Sequence, residues 1–261
     1  MTATTAQAVI LALGLPDGCR VDQRVPKKLL LENSAPTAAD KRLITDAIEE
    51  IQWVAALKPN TIGVPEYRDE QCEYLEIVVL AVTLRGAVKP AGRLRLAELM
   101  HRAVPYPALL LLIEGQELTL SLIHKRWAQN EANKVVLENS QVSASLSDAT
   151  AGTCSETERA FMQSLSITHQ PNATLHALYQ GWMDCVQALL AARLTGNFRT
   201  TVTSEQAAAR RQALADCERL DAEINRLRAQ AVKEKQLARQ VELNLTLKQL
   251  NSQLDQARKH L

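Results

Sequence analysis

The sequence predicts an α+β protein, with an N-terminal mixed helix/sheet domain followed by a helical segment and a long C-terminal coiled-coil helix. Three observations lead there. Residues 93–127 (RLRLAELMHRAVPYPALLLLIEGQELTLSLIHKRW) read as a helix, a turn held by two prolines, and two strands around Gly115. Beyond Ser147-Asp148-Ala149-Thr150-Ala151-Gly152-Thr153, a composition typical of a linker, every periodic stretch is helical. From Ser204 to Leu261 there is neither Gly nor Pro, and strong helix formers dominate. The expected division is 1–148 for the α+β domain, 154–200 for the helical segment and 204–261 for the coiled-coil helix, or a hairpin over the same residues.

In order, Thr4 to Leu13 is a short helix ended by Gly14, and Pro16-Asp17-Gly18 makes a turn. Thr37-x-x-Asp40 has the spacing of a capping box and opens an amphipathic helix. Its buried stripe would be Ile44, Ala47, Ile48, Ile51, Val54 and Ala55, with Lys58-Pro59 as its end. Ile62-Gly63-Val64 reads as a short strand. Tyr74 to Leu84 is a long strand, central because both of its alternating sets are mainly apolar. Leu96, Leu99, Met100 and Ala103 mark one helix face, and Val104-Pro105-Tyr106-Pro107 stops that helix, because proline lacks an N–H and pushes its predecessor toward extended geometry.

Ala108 to Ile113 is apolar at every position, as in a strand covered on both faces. Leu118, Leu120 and Leu122 alternate as in a half-buried strand. Val135 to Leu146 reads as a further hairpin turning at Asn139-Ser140. Ser155-x-x-Glu158 is a second capping box, opening a helix with Phe161, Met162 and Leu165. A longer helix after Pro171 carries a Trp182, Tyr179 and Met183 stripe, which is core at this spacing, and ends at Gly196.

The tail carries two seams. Ala213, Cys217, Leu220, Ile224, Leu227 and Ala231 keep a 4-3 spacing, and Leu243, Leu247, Leu250, Leu254, Ala257 and Leu261 keep another, out of register with the first. One continuous helix of roughly 85 Å, at about 1.5 Å per residue, is favoured because no breaker residue separates them. Heptad seams need a partner, so Leu243, Leu247, Leu250 and Leu254 are the candidate partner-binding residues, toward a protein partner or a second copy.

Composition argues against several classes. The 261 residues carry a formal net charge of +1, so nothing marks a general polyanion binder, and three Trp, four Tyr and two Phe are few for a base-stacking platform. Five cysteines without a C-x-x-C pair argue for a reducing compartment, and no apolar run reaches membrane-span length, so a cytoplasmic location and no membrane are expected. There is no G-x-x-x-x-G-K-[ST], G-x-G-x-x-G after a strand, H-E-x-x-H or G-x-S-x-G, and no strand offers [D/E]-x-K. No cofactor or metal and no catalytic residue is therefore assigned.

The chemistry that remains sits at the two ends of the central unit. A fold-back would gather His101, Arg102, His124, Lys125 and Arg126 into a phosphate or carboxylate site, with Lys27 and Lys28 beside it. The plainer alternative pairs Arg102 with Glu98, four residues back on one helix, and leaves Lys125 and Arg126, like Lys27 and Lys28, solvated.

The segments L-A-E-L-M-H-R-A-V-P-Y-P-A-L-L, L-S-L-I-H-K-R-W, V-P-K-K-L-L-L-E-N and K-E-K-Q-L-A-R-Q-V-E-L-N resemble the bacterial and archaeal family known as domain of unknown function 4391 (DUF4391), over nearly the whole chain. H-R-A-[IV]-P-Y-P is its most specific mark, with Val104 at the aliphatic position. The matching residues are Lys27, Lys28, His101, Arg102, Pro105, Tyr106, His124, Lys125 and Arg126, and the family pattern gives them no roles. The resemblance implies a setting in restriction-like or antiphage defence loci, beside helicases and DNA methyltransferases. The expected function is a non-catalytic subunit of such an assembly that binds DNA or RNA, or docks on a helicase or methyltransferase. The alternatives are a nuclease using His101 or His124, and a structural homo-oligomer.

Overall fold

The computed structural model describes residues 4–33, 36–128, 135–138, 141–147, 155–200 and 203–261. Its contacts divide the chain into two compact units, Met1–Val186 and Gln187–Leu261, with the boundary inside one helix. The first unit begins with α1 (Thr5–Ala12), β1 (Arg20–Arg24), α2 (Lys27–Asn33), α3 (Ala38–Ala47), β2 (Ile48–Leu57) and α4 (Pro59–Ile62). Then come β3 (Tyr67–Arg68), β4 (Glu73–Tyr74), β5 (Ile77–Leu84), α5 (Pro90–Ala103), β6 (Ala108–Glu114) and β7 (Glu117–Leu122). It closes with β8 (Lys125–Trp127), β9 (Val135–Leu137), β10 (Val142–Ser147), α6 (Glu156–Ser164) and the first turns of α7 (Leu175–Thr195).

A six-stranded sheet in the order β1-β2-β5-β6-β7-β10 is the frame of this unit. β5 and β6 run parallel while the other neighbours in the sheet are antiparallel. A parallel pair needs a crossover, which α5 supplies. Val78, Leu80, Val82, Leu110 and Leu112 turn one face toward α2, α3 and α5, where Leu30, Ile44, Leu96, Leu99 and Met100 fill the layer. Leu109 and Leu111 point the other way and are fully buried too. The central strand therefore has no water face, which is why it reads apolar throughout.

The helix, proline turn and hairpin of the central segment form as the pattern indicates. Val104 caps α5 with extended backbone, and Gly115 takes the positive φ (61°) that the two-residue β6–β7 turn needs. The capping residues Thr4, Thr37 and Ser155 each accept a backbone N–H at a helix start.

Four expectations are corrected. The helix opened at Thr37 stops at Ala47, and Ile48–Leu57 is strand β2. The pairing of β2 with β5 slips between Ile48 and Glu50 and again between Trp53 and Ala55. Each slip adds a residue to one strand, stretching the period of two so that buried Ile48, Ile51 and Val54 fall at a spacing that imitates a helix. Ile62-Gly63-Val64 is no strand, since Ile62 closes α4 and Gly63 is its left-handed cap at φ 71°. Val135–Leu146 is no hairpin: β9 pairs with β8, and β10 with β7. The turn Asn139-Ser140 and the linker residues 148–153 lie outside the described residues.

The fourth correction concerns the tail. The second unit holds the end of α7, then α8 (Ser204–Lys233) and α9 (Leu237–Arg258), which pack on each other instead of forming one rod. Glu234 leaves the helix with ψ 130°, and its carboxylate Oε1 accepts the Lys235 and Gln236 N–H groups at 2.8 and 2.9 Å. A side-chain cap thus makes the break without Gly or Pro. Folding back buries Cys217, Leu220 and Ile224 against Leu254, with Leu247, Leu250, Ala257 and Leu261 around them. The seams thereby find their partner within the chain. Leu243 is half-buried on the same side, whereas Leu237, Val241 and Leu245 are exposed.

Candidate functional site

The site is built on Lys125, the first residue of β8. Its side chain is buried, and its ammonium donates to the main-chain carbonyls of Val104 and Tyr106, the latter at 2.7 Å. Those carbonyls are available because the prolines at 105 and 107 end the α5 ladder. Burial pushes the Lys125 amine down to about 7. Lys125 thereby acts as a clasp on the Pro105–Pro107 turn.

The histidines lie behind that turn. His101 is fully buried, with Nε2 3.0 Å from Ser121 Oγ. Ser121 Oγ also accepts the Gln141 amide N–H at 3.0 Å. Burial, with Lys125 nearby, holds the His101 imidazole well below its usual pKa and so neutral. His124 bonds the Tyr74 hydroxyl through Nδ1 and donates from Nε2 to Gln180 Oε1 at 2.7 Å. Its ring stacks on His176 at 5.1 Å between centroids, and the Gln180 amide continues to Asp184 Oδ1 at 2.7 Å. Tyr179, on the same helix, accepts the Ile123 N–H and reaches the Ala108 carbonyl at 2.8 Å. This cluster fixes α7 against the ends of β6 and β7.

In front of Lys125 opens a cleft of about 380 Å³. Arg68, Lys125, Arg126, Tyr106 and Trp127 line it together with Glu73. Three short pieces form its walls: the β3–β4 hairpin, the β8 strand and the Pro105-Tyr106 turn. Asp69 shapes the hairpin by accepting the Cys72 and Gln71 N–H groups, both at 2.7 Å, and these bonds, with one from the Tyr67 hydroxyl at 2.8 Å, hold its carboxyl down at about 2. The Trp127 N–H joins β8 to that hairpin through the Gln71 carbonyl at 2.7 Å. Within the cleft Arg68 meets Glu73 at 3.3 Å, and Arg126 is exposed. Guanidinium groups and two aromatic rings lining one cleft suit a phosphate attached to a flat group.

Of the residues singled out from sequence, Lys125 and Arg126 line this cleft. His101 and His124 are buried outside it, and Arg102 lies elsewhere at the surface, 2.6 Å from Glu98. Lys28 pairs with Glu32 at 3.6 Å, while Lys27 donates to the Ile48 carbonyl and lines a separate cleft beside Glu49 and Glu50. Sequence reasoning missed Arg68 and the two rings as parts of a site. Trp127 follows directly on His124-Lys125-Arg126, and Tyr106 sits inside the proline turn, so both had a positional signal. Arg68 had none, because it rides on a two-residue strand without periodicity. Among the described residues, no group of three His, Cys, Asp or Glu side chains is placed to hold a metal ion. No helix among them is long and apolar enough to cross a membrane.

A family model described as Domain of unknown function (DUF4391) matches residues 13–254. Comparison with curated proteins and with solved structures finds no match.

Proposed function

The chain belongs to the DUF4391 family, and we propose that it is a non-catalytic subunit that binds nucleic acid through the Arg68–Lys125–Arg126 cleft. The observation that carries this reading is a pair of guanidinium groups, Arg68 and Arg126, lining one cleft with two aromatic rings, in a chain whose overall charge is nearly balanced. Phosphate contacts supply most of the affinity in such interfaces, while groove shape and rings select the form of the ligand. The wider setting, a restriction-like or antiphage defence assembly with a helicase or DNA methyltransferase, belongs to the proposal on the strength of the family resemblance. Association with a protein partner belongs to it as well, through the exposed side of α9 that carries Leu237, Val241 and Leu245 rather than through the seam packed against α8. The nuclease alternative assigned its base to His101 or His124, and both side chains are buried.

Gel shift and fluorescence anisotropy across a salt series test the reading. Wild type should bind labelled DNA or RNA with an affinity that falls as salt rises, and Arg68→Ala/Arg126→Ala should lose most of it. Equal affinity of wild type and the double variant, or no binding at low salt, overturns the assignment.

A further inference from the structure

We infer that the ligand of this cleft is a single-stranded nucleic-acid segment, one base of which lies against the Tyr106 and Trp127 rings while its flanking phosphates sit on Arg68 and Arg126. The inference rests on the nucleic-acid reading and narrows it to one form of ligand.

The aromatic residues make the case. Of nine in the chain, Phe161, Tyr74, Tyr179 and Trp182 are fully buried and serve the core. Tyr106 is the most exposed of all nine, and it borders the same cleft as half-buried Trp127. A base face laid on the exposed part of this ring removes apolar surface of both partners from water. Tyr106 is also held in place. Prolines flank it on both sides and Lys125 fixes its carbonyl, so little conformational freedom is lost when a base stacks on it. Lys125 is in this respect a positioning residue.

Shape excludes the duplex as the preferred ligand. In a double helix each base face is covered by its neighbours, so a duplex presents phosphates to Arg68 and Arg126 but no face to the rings. A cleft of about 380 Å³ also accommodates an unstacked nucleotide rather than a paired stem. Arg68 adds a latch. It is paired with Glu73 at 3.3 Å, and an entering phosphate displaces that carboxylate from a mostly exposed guanidinium. Stacking tolerates any base, so discrimination between sequences is expected to be weak.

The experiment uses the whole chain and three labelled probes of one mixed sequence: a single strand, the same strand with a run of abasic residues, and the duplex. Anisotropy at fixed salt should rank the intact single strand roughly tenfold or more above both others, from the usual weight of one base–aromatic stack. Trp127→Leu and Tyr106→Ala should each lower single-strand affinity by about that factor and leave duplex affinity and the salt slope unchanged, while Trp127→Phe, which keeps a ring at that position, should bind the strand nearly as wild type does. Tyr106→Ala touches an exposed ring, so it keeps the test decisive if Trp127→Leu folds poorly. Equal binding of strand and duplex, or no effect of Tyr106→Ala on the strand, overturns the single-strand inference while phosphate binding stands. Loss of the phosphate-binding reading shows differently, as indifference of every probe to Arg68→Ala/Arg126→Ala.

Discussion

Lys125 Nζ donates to the main-chain carbonyl of Tyr106 at 2.7 Å. One side chain therefore ties the strand after His124 to the proline turn after Arg102, 19 residues earlier in the chain. The relationship has a pH signature. Burial pushes the Lys125 amine down to about 7, against about 10.4 for a free lysine. Between those values the unfolded chain keeps a proton there that the folded chain releases, so this group makes stability rise with pH over that window. Below about pH 7 both states are protonated, and the cost of burying the charge is present in full. Denaturant midpoints measured at pH 7 and 9 should move in favour of wild type relative to Lys125→Met. Parallel profiles would show that the amine is not desolvated.

Leu110 and Leu111 point to opposite faces of β6 and both are fully buried. Leu110→Ala and Leu111→Ala should each cost about 2–5 kcal/mol. Thermal melts check this, and a neutral result at either position contradicts a sheet covered on both faces.

Arg102 and Arg126 should separate cleanly. Arg102 is a surface partner of Glu98 outside the cleft, so Arg102→Ala should leave nucleic-acid affinity unchanged and alter stability by no more than about 0.5 kcal/mol. Arg126→Ala should leave the melting temperature alone and reduce the slope of log affinity against log salt by about one unit. Reversed effects would move the site from the cleft to the outer face of α5.

In the tail, Leu250→Asp puts a charge into the α8–α9 seam, where burial without a partner costs several kcal/mol. Circular dichroism should show helix loss on mild heating in this variant. Val241→Asp lies on the exposed side and should leave that transition in place, so equal destabilisation by the two changes would contradict the hairpin.

The parts legible in the sequence were those whose signal is local. The α5–β6–β7 segment states its helix spacing, its prolines and its apolar strand within 35 consecutive residues. β2 was not legible as a strand because two irregularities in its pairing break the alternation, and both exist only once β5 lies beside it. The elbow at Glu234 was equally hidden, since its cap is a glutamate found as often inside helices. For the site, the meeting of the His101 and Lys125 segments could be foreseen, but the division of labour between them could not. Which cation is buried as a clasp and which faces the cleft depends on β3–β4 and β8, strands too short to show a period.

The elbow also sets how the two C-terminal helices can trade partners. Only Glu234, Lys235 and Gln236 separate α8 from α9, and none of them resists a helical conformation. If those residues straighten, each seam can bury against the complementary seam of another molecule, and the exchanged dimer keeps every leucine contact of the closed hairpin. The two forms then differ in three residues of backbone and in protein concentration, which is the condition for domain swapping. Replacing Glu234 with alanine removes the cap that holds the bend, so that substitution should raise the share of exchanged dimer at high concentration.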